Sequence, residues 1–365
     1  KLHDELTKSF IDKKISILSR SLKQDLVLNT EINENDKVYI DNQFIGELKG
    51  LKFLIELTSK TLDTDIKSIK KAARRGVKKE LDKRVNLIIK NKDLSINNNS
   101  KIIWKNNPIG MLKKGHDYLS PSIEIIADES IELETKKKLE DFLKNWFNEY
   151  LKEILGDLIN LREQKIDNQY LRALVFQLYE KNGVLKRSEI DRIIKLIPAE
   201  ERKRLWGMGI KIGRYHIFLP KMLKPKAVEF RISLWRIFNN LSSKNEIPKF
   251  GLNFLFNKNY EKNFLLLCGF EKFAKYFIRI DILEKLFIKI LNSSKDRKFK
   301  INSEMMNLLG CTKEDFYELM TLMNYKKDKA QDTYIFIGEK KKSKKFIKLE
   351  KKENPFKKLL SLNIK

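Results

Sequence analysis

The side chains able to do chemistry are few and scattered. The three histidines, His3, His116 and His216, stand alone, with no Cys, His or carboxylate at metal-ligand spacing. His216 falls in an apolar stretch, where a satisfied structural residue is expected. Cys268 and Cys311 also lie in apolar contexts, and neither has a neighbouring His to activate its thiol. Two cysteines exclude a disulfide framework and a four-cysteine zinc site. Ile123-Glu124-Ile125-Ile126-Ala127-Asp128-Glu129-Ser130 imitates an ATPase strand ending in Asp-Glu, yet no G-x-x-x-x-G-K-[ST] loop occurs anywhere. A charged strand end meeting a helix N-terminus accounts for it better. Gly207, Gly209 and Gly213 have the wrong spacing for a dinucleotide loop and follow a helix, so a tight turn is expected. Asp281 and Glu284 flank Arg279 and Lys285, and local ion pairs explain them. No self-contained catalytic constellation is present, and no cofactor is expected in this chain.

What the sequence holds in quantity is positive charge. Lys and Arg number 76 against 49 Asp and Glu, a formal net charge of +27 over 365 residues. That balance fits a polyanionic partner, nucleic acid first and an anionic membrane surface second. An AT-biased genome also produces Lys, Asn and Ile in excess, so clustering says more than the total. One cluster holds Lys67, Lys70, Lys71, Arg74, Arg75, Lys78, Lys79, Lys83 and Arg84 against Asp65, Glu80 and Asp82. Ile66, Ile69, Ala73, Val77 and Leu81 recur at helical spacing and predict a core-facing side. Lys67, Lys71, Arg74 and Lys78 then share another face. Like charges so placed repel, and a row of phosphates would relieve them by displacing counterions. The alternative is a solvated helix face. The second cluster is the tail from Glu339 to Lys358, with Lys340, Lys341, Lys342, Lys344 and Lys345, which reads as a flexible electrostatic tether. Trp104, Trp206 and Tyr215 are the aromatics that could stack on bases, while Trp146 is expected in the core.

The elements that must position these residues follow from periodicity. Residues 1–28 read as a helix with Leu6, Phe10, Ile17, Leu18 and Leu22 on its apolar stripe. Residues 37–49 read as a hairpin turning at Asp41-Asn42-Gln43. Residues 101–113 align with it without gaps, 64 positions on, with Lys37/Lys101, Asn42/Asn106, Ile45/Ile109, Gly46/Gly110, Leu48/Leu112 and Lys49/Lys113 identical. Each copy precedes a helical stretch, 62–90 and 132–160. Next come a helix over Asn168–Lys181 ended by Asn182-Gly183, one over Glu189–Leu196 capped by Ser188, and one begun by Pro198 that runs through Trp206. A strand pair around Gly213 and a helix over Val228–Asn240 follow. Ser242–Pro248 is the clearest internal linker. Beyond it lie Phe254–Phe256, a helix near Tyr260–Leu267, and a helical element over Phe277–Leu291. Helices over Ser303–Leu309 and Thr312–Met323 join at Gly310-Cys311, with Thr312 and Asp315 as a capping box and Tyr334–Ile337 as a wing strand.

The expected fold is α+β and mostly helical: a duplicated β-hairpin-helix unit followed by winged-helix-like helical units, with no P-loop domain. The expected divisions are an N-terminal helix and connection over 1–36 and the duplicated region over 37–165. A winged-helix-like domain over 166–241, a second helical, winged-helix-like domain over 249–338 and a basic tail over 339–365 complete them. No run of about 18 uncharged apolar residues occurs, so no membrane span is expected. The chain begins at Lys1 with no signal-peptide pattern, which suggests a fragment or processed product in the cytoplasm.

Several stretches together resemble one family. The clearest is Gly209-Ile210-Lys211-Ile212-Gly213-Arg214-Tyr215-His216-Ile217-Phe218-Leu219-Pro220-Lys221-Met222-Leu223-Lys224-Pro225. Ile45–Phe53, Leu174–Leu178, Gly183-Val184-Leu185, Cys268-Gly269-Phe270, Ile278–Leu286 and Leu308–Cys311 accompany it in order. From about residue 10 to residue 325 the chain resembles the C-terminal region of alphaproteobacterial ATP-dependent helicases, which are similar to the mitochondrial RNA-degradosome helicase of the DExH superfamily 2 group. The resemblance implies an upstream pair of RecA-like domains that hydrolyse ATP with Mg. This chain carries neither domain and lacks the phosphate loop, the DExH box and the arginine-finger motif, so no ATPase residue transfers to it. What remains is an accessory region that guides a strand, RNA more than DNA. The candidate contacts are Lys67, Lys70, Lys71, Arg74, Arg75, Lys78, Lys79, Arg214, Lys221, Lys224, Lys341 and Lys344. The competing readings are a stand-alone basic nucleic-acid-binding protein and a scaffold that docks a ribonuclease partner.

Overall fold

The computed structural model describes residues 30–40, 42–55, 63–97, 99–241, 246–256, 261–294, 298–328 and 333–337. The helix expected over 1–28, the tail with Lys341 and Lys344, and residues 242–245 of the expected linker lie outside them. The described residues are α+β, about 51% helix and 25% strand, with several small antiparallel sheets.

The first sheet is a meander of β1 (Thr30–Ile32), β2 (Lys37–Ile40), β3 (Gln43–Lys49) and β4 (Lys52–Ile55), and α1 (Asp63–Asn91) follows it. The second is a meander of β5 (Ser95–Ile96), β6 (Lys101–Trp104), β7 (Asn107–Asp117) and β8 (Ser120–Ile125), followed by α2 (Leu133–Glu163). An asparagine shapes the first turn of each. Asn33 Oδ1 accepts from the Asn35 and Lys37 N–H groups at 3.1 and 2.9 Å, and Asn97 Oδ1 accepts from Asn99 and Lys101 at the same distances. Such Asx turns are what a short amide side chain supplies. The next turn places Asn42 at φ 60° and Asn106 at φ 64°, a left-handed conformation that Asn tolerates. Gln43 therefore opens β3 rather than completing the turn. The register shifts after Val38 in one sheet and after Ile102 in the other.

The buried sides also correspond. Val38, Ile40, Ile45 and Leu48 face the core from the first sheet, as do Ile102, Trp104, Ile109 and Leu112 from the second. Ala73, Val77, Leu81, Val85 and Ile88 are buried on α1, and Leu143, Phe147, Leu151, Leu155 and Leu158 on α2. A side chain at Gly46 would stand 2.1 Å from the Leu54 carbonyl, so the close approach of β4 to β3 requires glycine there. The β7–β8 hairpin is longer than its counterpart. At its tip the Tyr118 hydroxyl donates to the Arg231 carbonyl at 2.9 Å, and Asp117 accepts from Tyr179 and Arg162.

Three further sheets of three strands each follow. The first segment runs α3 (Gln169–Glu180), β9 (Val184–Lys186), α4 (Arg187–Leu196), α5 (Ala199–Gly207), β10 (Lys211–Ile212) and β11 (His216–Phe218), in sheet order β10-β11-β9. The second runs α6 (Pro225–Asn239), β12 (Phe254–Phe256), α7 (Lys262–Leu267), β13 (Phe270–Phe273) and β14 (Tyr276–Arg279), in order β12-β14-β13. The third runs α8 (Ile280–Ser293), β15 (Lys298–Phe299), α9 (Ser303–Leu309), α10 (Lys313–Leu322), β16 (Tyr325–Asp328) and β17 (Thr333–Phe336), in order β15-β17-β16. In each, the last strand lies between the other two.

Local chemistry sets most of these boundaries. Asn168 caps α3 through the Tyr170 and Leu171 N–H groups, and Asn182 at φ 56° with Gly183 at φ 82° turns the chain out of it. Thr312 caps α10 by accepting from the Asp315 N–H. Ser188 does not cap: α4 begins at Arg187, two residues earlier than a Ser188 cap would set, with Lys186 in the cap position. Residues 277–279 are strand, not helix, because a short apolar run reads equally as either, and only the helical turns after Ile280 carry a polar side. β9, two apolar residues and a lysine, was too short to show a period.

The largest apolar core draws its residues from Val38 through to Leu234. Smaller cores form around Ile278–Tyr334 and around Val228–Phe277. Pro248 is buried and Ile247 packs on the last of these, so the end of the expected polar linker is part of the packed structure. No helix among the described residues is long and apolar enough to cross a membrane.

Candidate nucleic-acid interface

Helix α1 forms as the periodicity predicts, and its cations fall into three groups. Arg84 is only 7% exposed; it donates to the Gly50 carbonyl and pairs with Asp36 and Glu80, so it fastens the helix to the first sheet. Arg74 pairs with Glu129 at 3.0 Å and approaches Asp128 at 3.6 Å, and Lys78 pairs with Glu132. The face predicted to carry Lys71, Arg74 and Lys78 together is therefore split. Lys71, Arg75 and Lys79 form a separate exposed row at four-residue steps, with no anionic partner among the described residues. Lys67 and Lys70 lie on the first turns of α1, and their side chains are outside the described part.

The acidic stretch that neutralises Arg74 and Lys78 is the imitation ATPase strand end. Asp128 accepts from the Ser130 N–H and hydroxyl at 2.9 and 2.7 Å, which shapes the entry to α2. It is a structural turn with an ion pair, as its sequence context suggests. Among the described residues no group of three or more His, Cys, Asp or Glu gathers to hold a metal. Burial pushes the Cys268 thiol up to about 12 and the Cys311 thiol up to about 11, so neither forms a thiolate at neutral pH.

Arg214 sits in the turn between β10 and β11. Its guanidinium lies 5.8 Å from the ring centres of Phe287 and Phe336, exposed but engaged. Lys221 pairs with Asp157 at 2.8 Å, whereas Lys224 is exposed with no anionic partner among the described residues. The turn itself is held from below. The Arg214, Tyr215 and His216 N–H groups donate to the Glu284 carboxylate at 2.6, 2.9 and 2.9 Å. Burial opposes the charge on Glu284, but His216 and these three donors outweigh it and hold its carboxyl below the usual range. Glu284 thus binds across the fold rather than pairing locally. Arg279 and Asp281 do form the expected local pair, at 2.8 Å.

The second turn of this kind is also occupied. Between β13 and β14, Lys275 pairs with Glu318 of α10 at 2.7 Å. The Tyr276 hydroxyl lies 2.8 Å from Asp315 and 2.6 Å from Glu318. α10 therefore spends its acidic first turns on contacts with its own chain. α5 is different. Leu205 is its one buried anchor, and Trp206 at its end is 78% exposed beside exposed Arg202 and Lys203.

Of the aromatics expected to meet bases, only Trp206 is available. Trp104 is 5% exposed and belongs to the core. Tyr215 packs edge-on against Phe273 and Phe287 and bonds Tyr325. Trp146 is core, as expected, stacked on Tyr150. Lys186, Arg231 and Glu271 were missed in the sequence; Arg231 and Glu271 carry one signal, a charge within an otherwise apolar stretch, whereas Glu284 was singled out but given the wrong partners. Comparison with protein-family models, with curated proteins and with solved structures finds no match to this chain.

Proposed function

We propose that the chain is an accessory nucleic-acid-binding region. It holds a strand, RNA more than DNA, for an ATP-driven helicase motor carried elsewhere. The observation that carries this reading is the row Lys71, Arg75 and Lys79 on α1, exposed and without anionic partners among the described residues. Its members stand about 6 Å apart along the helix axis. Their mutual repulsion is relieved when phosphates replace counterions. A strand held there would be gripped by charge, without reading of its bases.

The order of elements supports the same reading. The segments 169–218 and 280–336 both run helix, strand, helix, helix, strand, strand, which is the winged-helix order, and 225–279 follows it with one helix fewer. We read all three as winged-helix-like. With the first two turns occupied by contacts inside the chain, α5 of the first unit is left to meet a partner. We also infer that the two meander-plus-helix units are copies of one ancestral unit, since the Asn33 and Asn97 turns, the left-handed pairs Asp36/Ser100 and Asn42/Asn106, and the register shifts after Val38 and Ile102 correspond. ATP and Mg belong to the motor, and this chain needs neither to bind.

Trp206 would stack on a base. Trp206→Ala is expected to weaken binding to single-stranded RNA by about 1–3 kcal/mol. The unfolding midpoint should not move, because the side chain is 78% exposed. Unchanged affinity in a fluorescence-anisotropy titration removes α5 from the interface.

A further inference from the structure

Four ionisable side chains meet where the 184–218 segment packs on the 270–284 segment. Lys186 on β9 pairs with Glu271 on β13. His216 on β11 places Nε2 2.7 Å from the other Glu271 oxygen. Its Nδ1 stands 3.8 Å from Glu284 on α8, beyond hydrogen-bond range, so that contact is electrostatic. Relative exposures are 1% for His216, 8% for Glu271 and 5% for Glu284, so water does little to screen them. Arg187 and Asp191 of α4, which border the same cleft, pair with each other. Arg214 and Tyr215 direct their side chains to Phe287, Phe336 and Tyr325 instead. Lys186 therefore offsets one buried carboxylate; the second has three backbone N–H donors and, as its nearby cationic side chain, an imidazolium at 216.

We propose that His216 is a pH-sensitive latch: protonated, it locks the 213–216 turn and its sheet onto Glu271 and Glu284, and its deprotonation loosens that seam. Burial disfavours the charged ring, but the two carboxylates outweigh it and raise the histidine above its ordinary 6.5. A raised value in the closed form makes the contribution complete below 6.5 and lost as pH rises through the raised value. The seam therefore weakens on the alkaline side. The segment that loosens carries Arg214 and follows α5, so the latch reports to the face that bears Trp206.

The test uses the full chain. The His216 ring is titrated by NMR, assigned by its loss in His216→Asn, and hydrogen exchange of the Arg214, Tyr215 and His216 amides is followed across the same pH range after correction for intrinsic rates. The expected midpoint lies above 6.5. Opening of these amides should rise by up to about tenfold per pH unit between 6.5 and that midpoint and level off above it, once the ring is neutral. His216→Asn should show no such rise, and Glu271→Gln should lower the histidine midpoint. A midpoint at or below 6.5, or the same pH response in His216→Asn, overturns the proposal. Should that variant fail to fold, the titration of the native chain alone decides. Either result leaves binding through α1 untouched.

Discussion

Arg231→Ala is expected to destabilise the chain by about 3–5 kcal/mol. Arg231 is fully buried on α6, beside the buried Ala227, Val228, Phe230, Ile232 and Leu234. Its guanidinium donates to the Asn182, Met222 and Leu267 carbonyls, the latter two at 2.6 and 3.1 Å. Those carbonyls come from three places: the turn after α3, the short 3-10 turn Pro220–Leu223, and the end of α7. Removing the fork leaves the Met222 and Leu267 carbonyls in a dry interior and the Asn182 carbonyl at its edge, and opens a cavity as well. The backbone of the same residue receives Tyr118, so the long β7–β8 hairpin depends on it too. Arg231→Lys should recover only a small part, because an ammonium cannot reach three divergent acceptors. Equilibrium denaturation would check this; a loss under 1 kcal/mol would mean that water takes over the abandoned carbonyls.

The triple reversal Lys71→Glu, Arg75→Glu and Lys79→Glu is expected to weaken binding of single-stranded RNA about tenfold to a hundredfold, at up to about 1 kcal/mol for each exposed contact. Folding should survive, because none of the three side chains is buried or paired among the described residues. The informative control is Arg74→Gln with Lys78→Gln. Those two are already matched by Glu129 and Glu132, so the control should cost far less affinity. Equal losses in both variants would show that binding follows net charge and not the exposed row.

The contrast between those variants marks where sequence reasoning stops. The period of Ala73, Val77 and Leu81 announced α1, and the 64-residue echo of Lys37–Lys49 announced the second sheet. Both are short-range patterns. Which cations stay free depends on groups more than fifty residues away: Glu129 reaches Arg74, and Glu132 reaches Lys78. Composition counts such charges but cannot pair them. The same holds for Glu284, which a local rule assigned to Arg279 and Lys285 and which the fold gives to three amides near His216. Tyr215 and Trp104 were chosen as stacking residues for their type alone. Burial, a property of the finished packing, removed Trp104, and ring contacts engaged Tyr215. The cap at Thr312 was legible, and the one at Asn168 was read as the first residue of its helix. The cap failed at Ser188, where the strand before α4 fixes the start of the helix instead.

The most direct measurement is the affinity of the full chain for single-stranded RNA across salt concentrations, by anisotropy. Three phosphate contacts from Lys71, Arg75 and Lys79 predict that log affinity falls with log salt at a slope of about −2 or steeper. The triple reversal should flatten that slope by about 2. A flat response in the native chain, or a slope that the triple reversal leaves unchanged, contradicts a phosphate grip on this helix.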